Sequence, residues 1–441
     1  MIHLPDPDAR AIHGTVNVLV RPDQHIARRG TGLPDGGAGT VLDHVLGADH
    51  HEAATTNLVT AGATGAQPPT PPPGPPTGVR SASSRHDSCV ARPLKGSHTM
   101  TNGTPRFRLG FLTHVQGHGD DVARTYRNAQ ELFVAADELG FDVGWVAQHH
   151  VSLGGGGLSS PWTFLAHAAA RTTRIRLGTA ITILPLEDPV RLAEDVAAVD
   201  TLSGGRVEIG VGSGSSDVEY AAFGRDIARK RELTSQNLEV LRRALANEEV
   251  RTPGFRIQPA AGDFTDRIWQ GVFSGQGARY AAAGGSNLLL NRAAYGFDAP
   301  TDQVQRPWAD AFLGAWDQPR RPRVGLSRFV FPAKDRDTAL RQIGDDVHRA
   351  ALRFAANGAF PKGLDRAEAL RRFHSFYGPP EEIVTALRQE RVLPVATDLI
   401  TQFNPAVPDH DAAIRALELI ATEVAPALGW KPAAKPEPAG V

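Results

Sequence analysis

"RIRLGTAITILPLEDPVRLAEDVAAVDTLSGGRVEIGVGSG", residues 174–214, holds two β-type runs with a helical run between them. The first, 174–185, is rich in Ile, Leu and Thr and closes on a proline-containing turn. Residues 188–205 read as a helix, with Asp188 at the cap, Pro189 at the first helical position and glycines at the stop. The second run, 206–214, reads as a strand, and several strands of the chain are apolar nearly throughout. Such a run suits a strand buried on both faces, as in a parallel sheet. The stretch is therefore one strand–helix–strand unit.

The same alternation extends in both directions. Further strands are expected at 107–114, 141–148, 268–274, 287–291, 323–332 and 396–404. Helices are expected at 124–140, 160–172, 230–247 and 411–428, with a short one in 277–285. The first of these sets Tyr126, Leu132, Phe133, Ala136 and Leu139 close to one stripe and stops at Gly140. Ser160 is a candidate cap ahead of Pro161. Eight strands interleaved with helices favour an α/β fold of the (β/α)8 TIM-type barrel over a doubly wound open sheet. Residues 291–322, rich in Pro, Asp and Gln, read as an insertion between the sixth and seventh strands.

Residues 1–104 have a different character. They include "AQPPTPPPGPPTGVR" and show no sustained helix or strand period. Such a segment buries too little apolar surface to offset its chain entropy. Pattern begins just after Met100, one of only two methionines. Residues 1–99 thus read as a disordered Pro/Gly-rich extension or as a start mis-assigned upstream of Met100. The barrel is expected over 105–430, and 431–441 as a flexible tail.

Composition excludes several classes. The formal net charge is -1 and no Lys/Arg cluster stands out, which argues against nucleic acid. One cysteine, Cys89, makes neither a disulfide framework nor a Cys-based zinc site. No apolar run approaches the roughly 18 residues of a membrane span, and the N-terminus lacks a secretory pattern. A cytoplasmic location is the expectation.

In a barrel of this type, chemistry sits at the C-terminal strand ends. That rule selects His114, Gln148-His149-His150, Ala180-Ile181, Gly212-Ser213-Gly214, Phe273-Ser274-Gly275, Asn291 and Gln402-Phe403-Asn404. Adjacent strand residues point to opposite faces, so only one of His149 and His150 reaches the mouth, and the pair is a poor metal chelate. The bland alternative is two solvated loop histidines. The functional one is a proton donor or acceptor near neutral pH. "GVGSGSSD" (210–217) does not fit GxGxxG, because Ser215 stands in the third glycine's place. Its glycines suit close approach of a flat ligand. "VFSGQGARYAAAGG" (272–285) turns from a strand into a helix, whose free N–H groups and dipole suit an anion; a plain strand–helix turn is the alternative. The four glycines 154–157 suggest a mobile loop over the mouth.

"GFDVGWVAQHH", the opening stretch and "ATDLITQFN" together resemble the bacterial-luciferase-like, flavin-dependent monooxygenases. The resemblance covers about residues 106–430. It implies a barrel in which reduced FMN and dioxygen oxygenate a small organic substrate. It implies a separate NAD(P)H-dependent flavin reductase as partner, and a homodimer. It places the family's histidine pair on His149 and His150, the first as acid/base. It places Gln148 where the family commonly has Glu. It puts the flavin-stacking segment, often with a cis peptide, on Ala180-Ile181. The segment with Gly212 and Ser213 aligns where luciferase carries a phosphate-binding arginine, whose position is Ser213 here. Phosphate binding then falls on Phe273, Ser274, Gly275 and Gly277, with Arg279 or Arg292 as sources of charge. A deazaflavin-dependent oxidoreductase of the same superfamily and a non-catalytic flavin-binding protein are the alternatives.

Overall fold

The computed structural model describes residues 2–3, 17–20, 26–30, 107–117, 121–150, 157–295, 297 and 299–432. Residues 1–96 and 97–441 form two compact units. In the first, three short strands (Ile2–His3, Asn17–Val20 and Ile26–Gly30) pair antiparallel. Those runs show no regular apolar alternation, which is why the sequence pattern missed them. The proline run, Cys89, Met100, Gly154 to Gly156 and residues 433–441 lie outside the described residues, and so do the expectations placed on them.

Among its described residues the second unit holds nine parallel strands. They are β1 (Arg108–Thr113), β2 (Val143–Val146), β3 (Arg176–Ile183), β4 (Val207–Gly212), β5 (Ile268–Val272), β6 (Asn287–Leu290), β7 (Val324–Pro332), β8 (Ser375–Gly378) and β9 (Asp398–Gln402). The order β9-β1-β2-β3-β4-β5-β6 is continuous, and β7 pairs with both β6 and β9. Eight strands thus close into a barrel, with β8 appended to the outer half of β7. Val324 aligns with Leu288 and Gly325 with Asp398, so closure needs no strand reversal.

Helices pack around the outside: α1 (Val122–Leu139), α2 (Pro161–Arg171), α3 (Pro189–Leu202), α4 (Asp217–Ala222), α5 (Lys230–Leu245), α6 (Gly275–Ala283), α7 (Thr301–Ala315), α8 (Arg336–Ala356), α9 (Arg366–Arg372), α10 (Pro380–Arg388) and α11 (His410–Leu419). α11 runs on as a π-helical stretch, Ile420–Val424, before the short Ala425–Ala427. Among the described residues no helix is long and apolar enough to cross a membrane.

Local chemistry explains the boundaries. Asp188 accepts hydrogen bonds from the Val190 and Arg191 N–H groups, so α3 starts where its sequence signal stands. At its far end Gly204 and Gly205 take φ of 69° and 84°, values that favour glycine. The turn aims Arg206 back at carbonyl oxygens of Ala169, Thr172, Ile175 and Ser203. One guanidinium thereby satisfies the open C-terminus of α2. Ser160 does stand at the start of α2, but its hydroxyl meets Thr163 Oγ1 (2.8 Å) and caps no backbone donor.

Residues 291–322, expected as an insertion, carry α7, an ordinary crossover between β6 and β7. Its buried Thr301, Gln305, Ala309 and Phe312 form one helical stripe. Pro300 at the cap and Pro307 inside the helix masked that period. A longer excursion, 333–397, lies between β7 and β9 and contains α8, α9, β8 and α10.

The barrel interior is layered. Buried Trp145 and Trp269 meet edge to face, with centroids 5.7 Å apart, and Val143, Leu112, Leu289 and Ile400 pack with them. Gly178 admits Trp145: a Cβ there would stand 2.3 Å from the indole. Below this layer, Glu208 accepts hydrogen bonds from Arg108 (2.9 Å), Arg176 (2.7 Å) and Trp269 Nε1 (2.6 Å). Asp398 binds Arg108 and Arg323. This ion cluster closes the N-terminal end, leaving the C-terminal mouth open.

Candidate active site

A cavity of ≈ 260 Å³ occupies that mouth. Gln148, His149, Ala180, Ile181, Gly212, Ser213 and Phe273 line it, with His114, Asn291 and Gln402. These are strand-end positions that the sequence selects. Its apolar wall is Leu112, Ala147, Ala180, Ile181, Leu289 and Ile400.

The β3 lip protrudes into this space. Pairing with β4 is regular to Thr179, skips Ala180 and Ile181, and resumes at Thr182. Such an irregularity re-aims the residues it releases. The Ala180–Ile181 peptide is cis. Opposite it, a Cβ on Gly212 would come within 3.0 Å of Ile181, so glycine keeps the gap open.

Gln148 is buried and fixes the lip. Its Oε1 accepts the Ile183 N–H (2.7 Å), and its Nε2 donates to Glu187 (2.6 Å) and faces His150 Nε2 (3.0 Å). This network assigns the amide orientation, with oxygen toward the backbone donor and nitrogen toward the carboxylate.

His149 enters the cavity and His150 turns away; both follow the end of β2 at Val146, so their packing sets the two directions. The His149 backbone N–H is tied to Leu158 O (2.8 Å). Its Nδ1 stands 3.8 Å from Glu219, and its ring stacks on His114 at 5.7 Å and 23°. Glu219 also accepts the His150 N–H (2.9 Å). Burial raises the carboxyl's pKa, but the His149 ring and the His150 N–H outweigh it and leave it below the ordinary value. His150 packs on Phe223 at 4.4 Å and lines no part of the cavity. Burial lowers its pKa against the pull of Glu187 and Glu219. His114 is half-buried with its Nδ1 buried, and desolvation with His149 and Arg292 nearby holds its pKa well below 6.5, so it is neutral.

Ser274, Gly275 and Gly277 form the start of α6 and lie outside the cavity lining. Ser274 Oγ accepts the Gly277 N–H (3.1 Å), so that donor serves the helix cap. Phe273 is 64% exposed beside them. Arg279 is exposed on α6, whereas Arg292 is buried on the cavity wall.

Glu219 escaped the sequence reading. Its signal was present: Ser216 and Glu219 stand three apart, the spacing of a capping box. Ser216 does cap α4 through the Glu219 N–H (3.3 Å), but the glutamate turns to the histidines. Glu187 and Ser327 were also missed, because neither ends a strand.

A closed parallel barrel with a histidine-bearing, apolar-walled cavity at its mouth defines a class of enzymes that hold organic ligands at the strand ends. The chain belongs to the luciferase-like monooxygenases, whose family model matches residues 106–404. It is 31% identical over 340 residues to 4-hydroxyprotoasukamycin monooxygenase of Streptomyces nodosus subsp. asukaensis, covering 72% of this chain and 90% of the relative. The fold is shared with the oxygenating constituent of 3,6-diketocamphane monooxygenase of Pseudomonas putida, solved with FMN. The TM-score is 0.59, with 18% identity over 73% of this chain and 98% of that one. It is also shared with the coenzyme F420-dependent tetrahydromethanopterin reductase of Methanopyrus kandleri, at TM-score 0.54 and 18% identity over 74% and 99% of the two chains.

Proposed function

We propose that this chain is a monooxygenase that uses reduced FMN and dioxygen to oxygenate a small organic substrate. A separate NAD(P)H-dependent reductase supplies the reduced flavin. The observation that carries this reading is His149, braced by Glu219, facing a cavity lined by Ala180, Ile181 and Gly212. That lining fits a planar ring: side chains are small where the ring would lie close, and aromatic side chains support the layer below.

When bound, reduced flavin supplies the electrons that activate dioxygen. The protein's residues do the rest. Gln148 holds the β3 lip by the Ile183 N–H and so positions Ala180 and Ile181. Leu112, Ile181, Leu289 and Ile400 exclude water, which protects a reactive intermediate. His149 Nδ1 faces Glu219, leaving Nε2 to hold or deliver a proton on the cavity side. The Gly275 and Gln276 N–H groups at the start of α6 would receive the FMN phosphate, with Ser213 at the β4 lip and Arg279 as nearby charge.

The test is His149→Ala, titrated with FMN and then assayed with chemically reduced FMN, oxygen and a reporter substrate. FMN binding is retained, and product per flavin oxidised falls by about 10²–10⁴-fold. An unchanged yield removes His149 from the reaction. Tight binding of a deazaflavin, with hydride transfer and no oxygen uptake, replaces the reading with the oxidoreductase alternative.

A further inference from the structure

Arg292 follows β6 and lines the mouth cavity, yet it is only 7% exposed. The other buried arginine among the described residues, and two half-buried ones, have carboxylate partners. Arg328 pairs with Glu390, Arg267 with Asp200, and Arg323 with Asp398. Among the described residues Arg292 has none. Its Nε lacks a hydrogen-bond partner, and its Nη1 reaches only Gln402 Oε1, at 3.5 Å. The rings of Tyr295 and Phe373 lie 5.7 Å from the guanidinium carbon, within cation–π range, and the Tyr295 phenol interacts with it, but neither side chain is a carboxylate counter-ion.

A buried charge is ordinarily paired, because desolvation without compensation is strongly unfavourable. Arginine does not escape by losing its proton. The cost is therefore borne for something that arrives from outside. The surroundings suit an anion. Gln402 donates to Ser327 Oγ (2.5 Å), which turns its Oε1 toward Arg292. Neutral His114 adds no competing charge, and its buried Nδ1 is unpartnered among the described residues. The acidic member of the cavity, Glu219, is engaged with His149 and His150.

We propose that Arg292 is the specificity-determining residue of this cavity and binds an anionic oxygen of the organic substrate: a carboxylate, phenolate or enolate. The enzyme's substrates are then organic anions held between Arg292 and the His149 side of the mouth. This rests on the mouth being the reaction site. A reduced flavin also carries anionic character, so the test separates the two sources of charge.

The purified full-length protein is titrated with benzoate and with its neutral isostere benzamide, by calorimetry, and separately with FMN. Wild type, Arg292→Met and Arg292→Lys are compared. Wild type prefers benzoate, Arg292→Met loses about 10–100-fold in benzoate affinity, and Arg292→Lys recovers part of it. Benzamide and FMN binding stay unchanged. Because the native charge is unpaired, Arg292→Met also melts at or above the wild-type temperature. Equal affinity of wild type for benzoate and benzamide overturns the proposal. So does unaltered benzoate binding in Arg292→Met, or a collapse of its fold, which marks a structural arginine. Weakened FMN binding with intact benzoate binding overturns it too, and assigns the guanidinium to the cofactor. Failure of wild type to bind FMN counts against the flavin reading alone, since the benzoate result is read without it.

Discussion

Replacing Gln148 by Glu isolates what the amide contributes at the barrel lip. The side chain is buried, and its Nε2 stands 2.6 Å from Glu187. Glutamate there sets two carboxylates side by side. Two charges at that spacing repel by roughly 6 kcal/mol at an effective dielectric near 20. Protonating one instead costs about 1.4 kcal/mol per pH unit above its free value of about 4.3. The cheaper route wins, so the cost at pH 7 is capped near ~4 kcal/mol and falls to ~1 kcal/mol at pH 5. Glu187 is only partly buried, and His150 can take up a proton beside the new carboxylate. Together these bring the expected loss at pH 7 to about 2–4 kcal/mol. The sign is that of a carboxyl whose pKa is raised on folding: the variant is near wild type below about pH 4.3 and loses stability as pH rises through the raised value. Urea unfolding at pH 5 and pH 8 reads this directly. The pair Gln148→Glu with Glu187→Gln exchanges amide and carboxylate and restores most of the loss. Equal stability of the single variant at both pH values refutes the carboxylate-pair reasoning.

Gly178→Ala places a methyl 2.3 Å from the Trp145 ring and costs about 1–3 kcal/mol by overpacking, read as a lower urea midpoint; an unchanged midpoint contradicts the packing account. Burial raises the pKa of Glu390, but Arg328 and His374 outweigh it and take it down to about 2. A lowered pKa contributes stability above the unfolded value, on the order of 3 kcal/mol, that is lost between about pH 4.5 and pH 2. Glu390→Gln is therefore less stable than wild type at pH 7, and the gap narrows toward pH 2 in acid-unfolding curves. Glu219→Gln keeps an acceptor for the His150 N–H but removes the charge facing His149; FMN binding holds and oxygenation with reduced FMN falls about tenfold or more.

The barrel was legible because its signals are local. Asp188, Pro189 and the glycines at 204–205 act within a few residues of themselves, so α3 and its flanking strands fall where the pattern puts them. α7 was hidden by Pro300 and Pro307. β8 was missed because its four residues pair with only one strand, outside the barrel. The mouth was half legible. Strand ends named His149, Ala180 and Gln402, whereas Glu219 is carried on a short helix after β4 and reaches the histidines only in three dimensions.

By itself the sequence determined the alternation of strands and helices, the count of eight that closes a barrel, and hence which residues gather at one end. Period, caps and turn glycines are near-neighbour effects, and they survive reading in one dimension. Tertiary structure alone decided that His149 faces in while His150 packs on Phe223. It decided that Gln148 bonds Glu187, and that Arg292 is buried without a carboxylate partner among the described residues. Those facts depend on partners between roughly 40 and 110 positions away, such as Glu187, Glu219 and Gln402, whose proximity exists only once the strands have closed into a barrel.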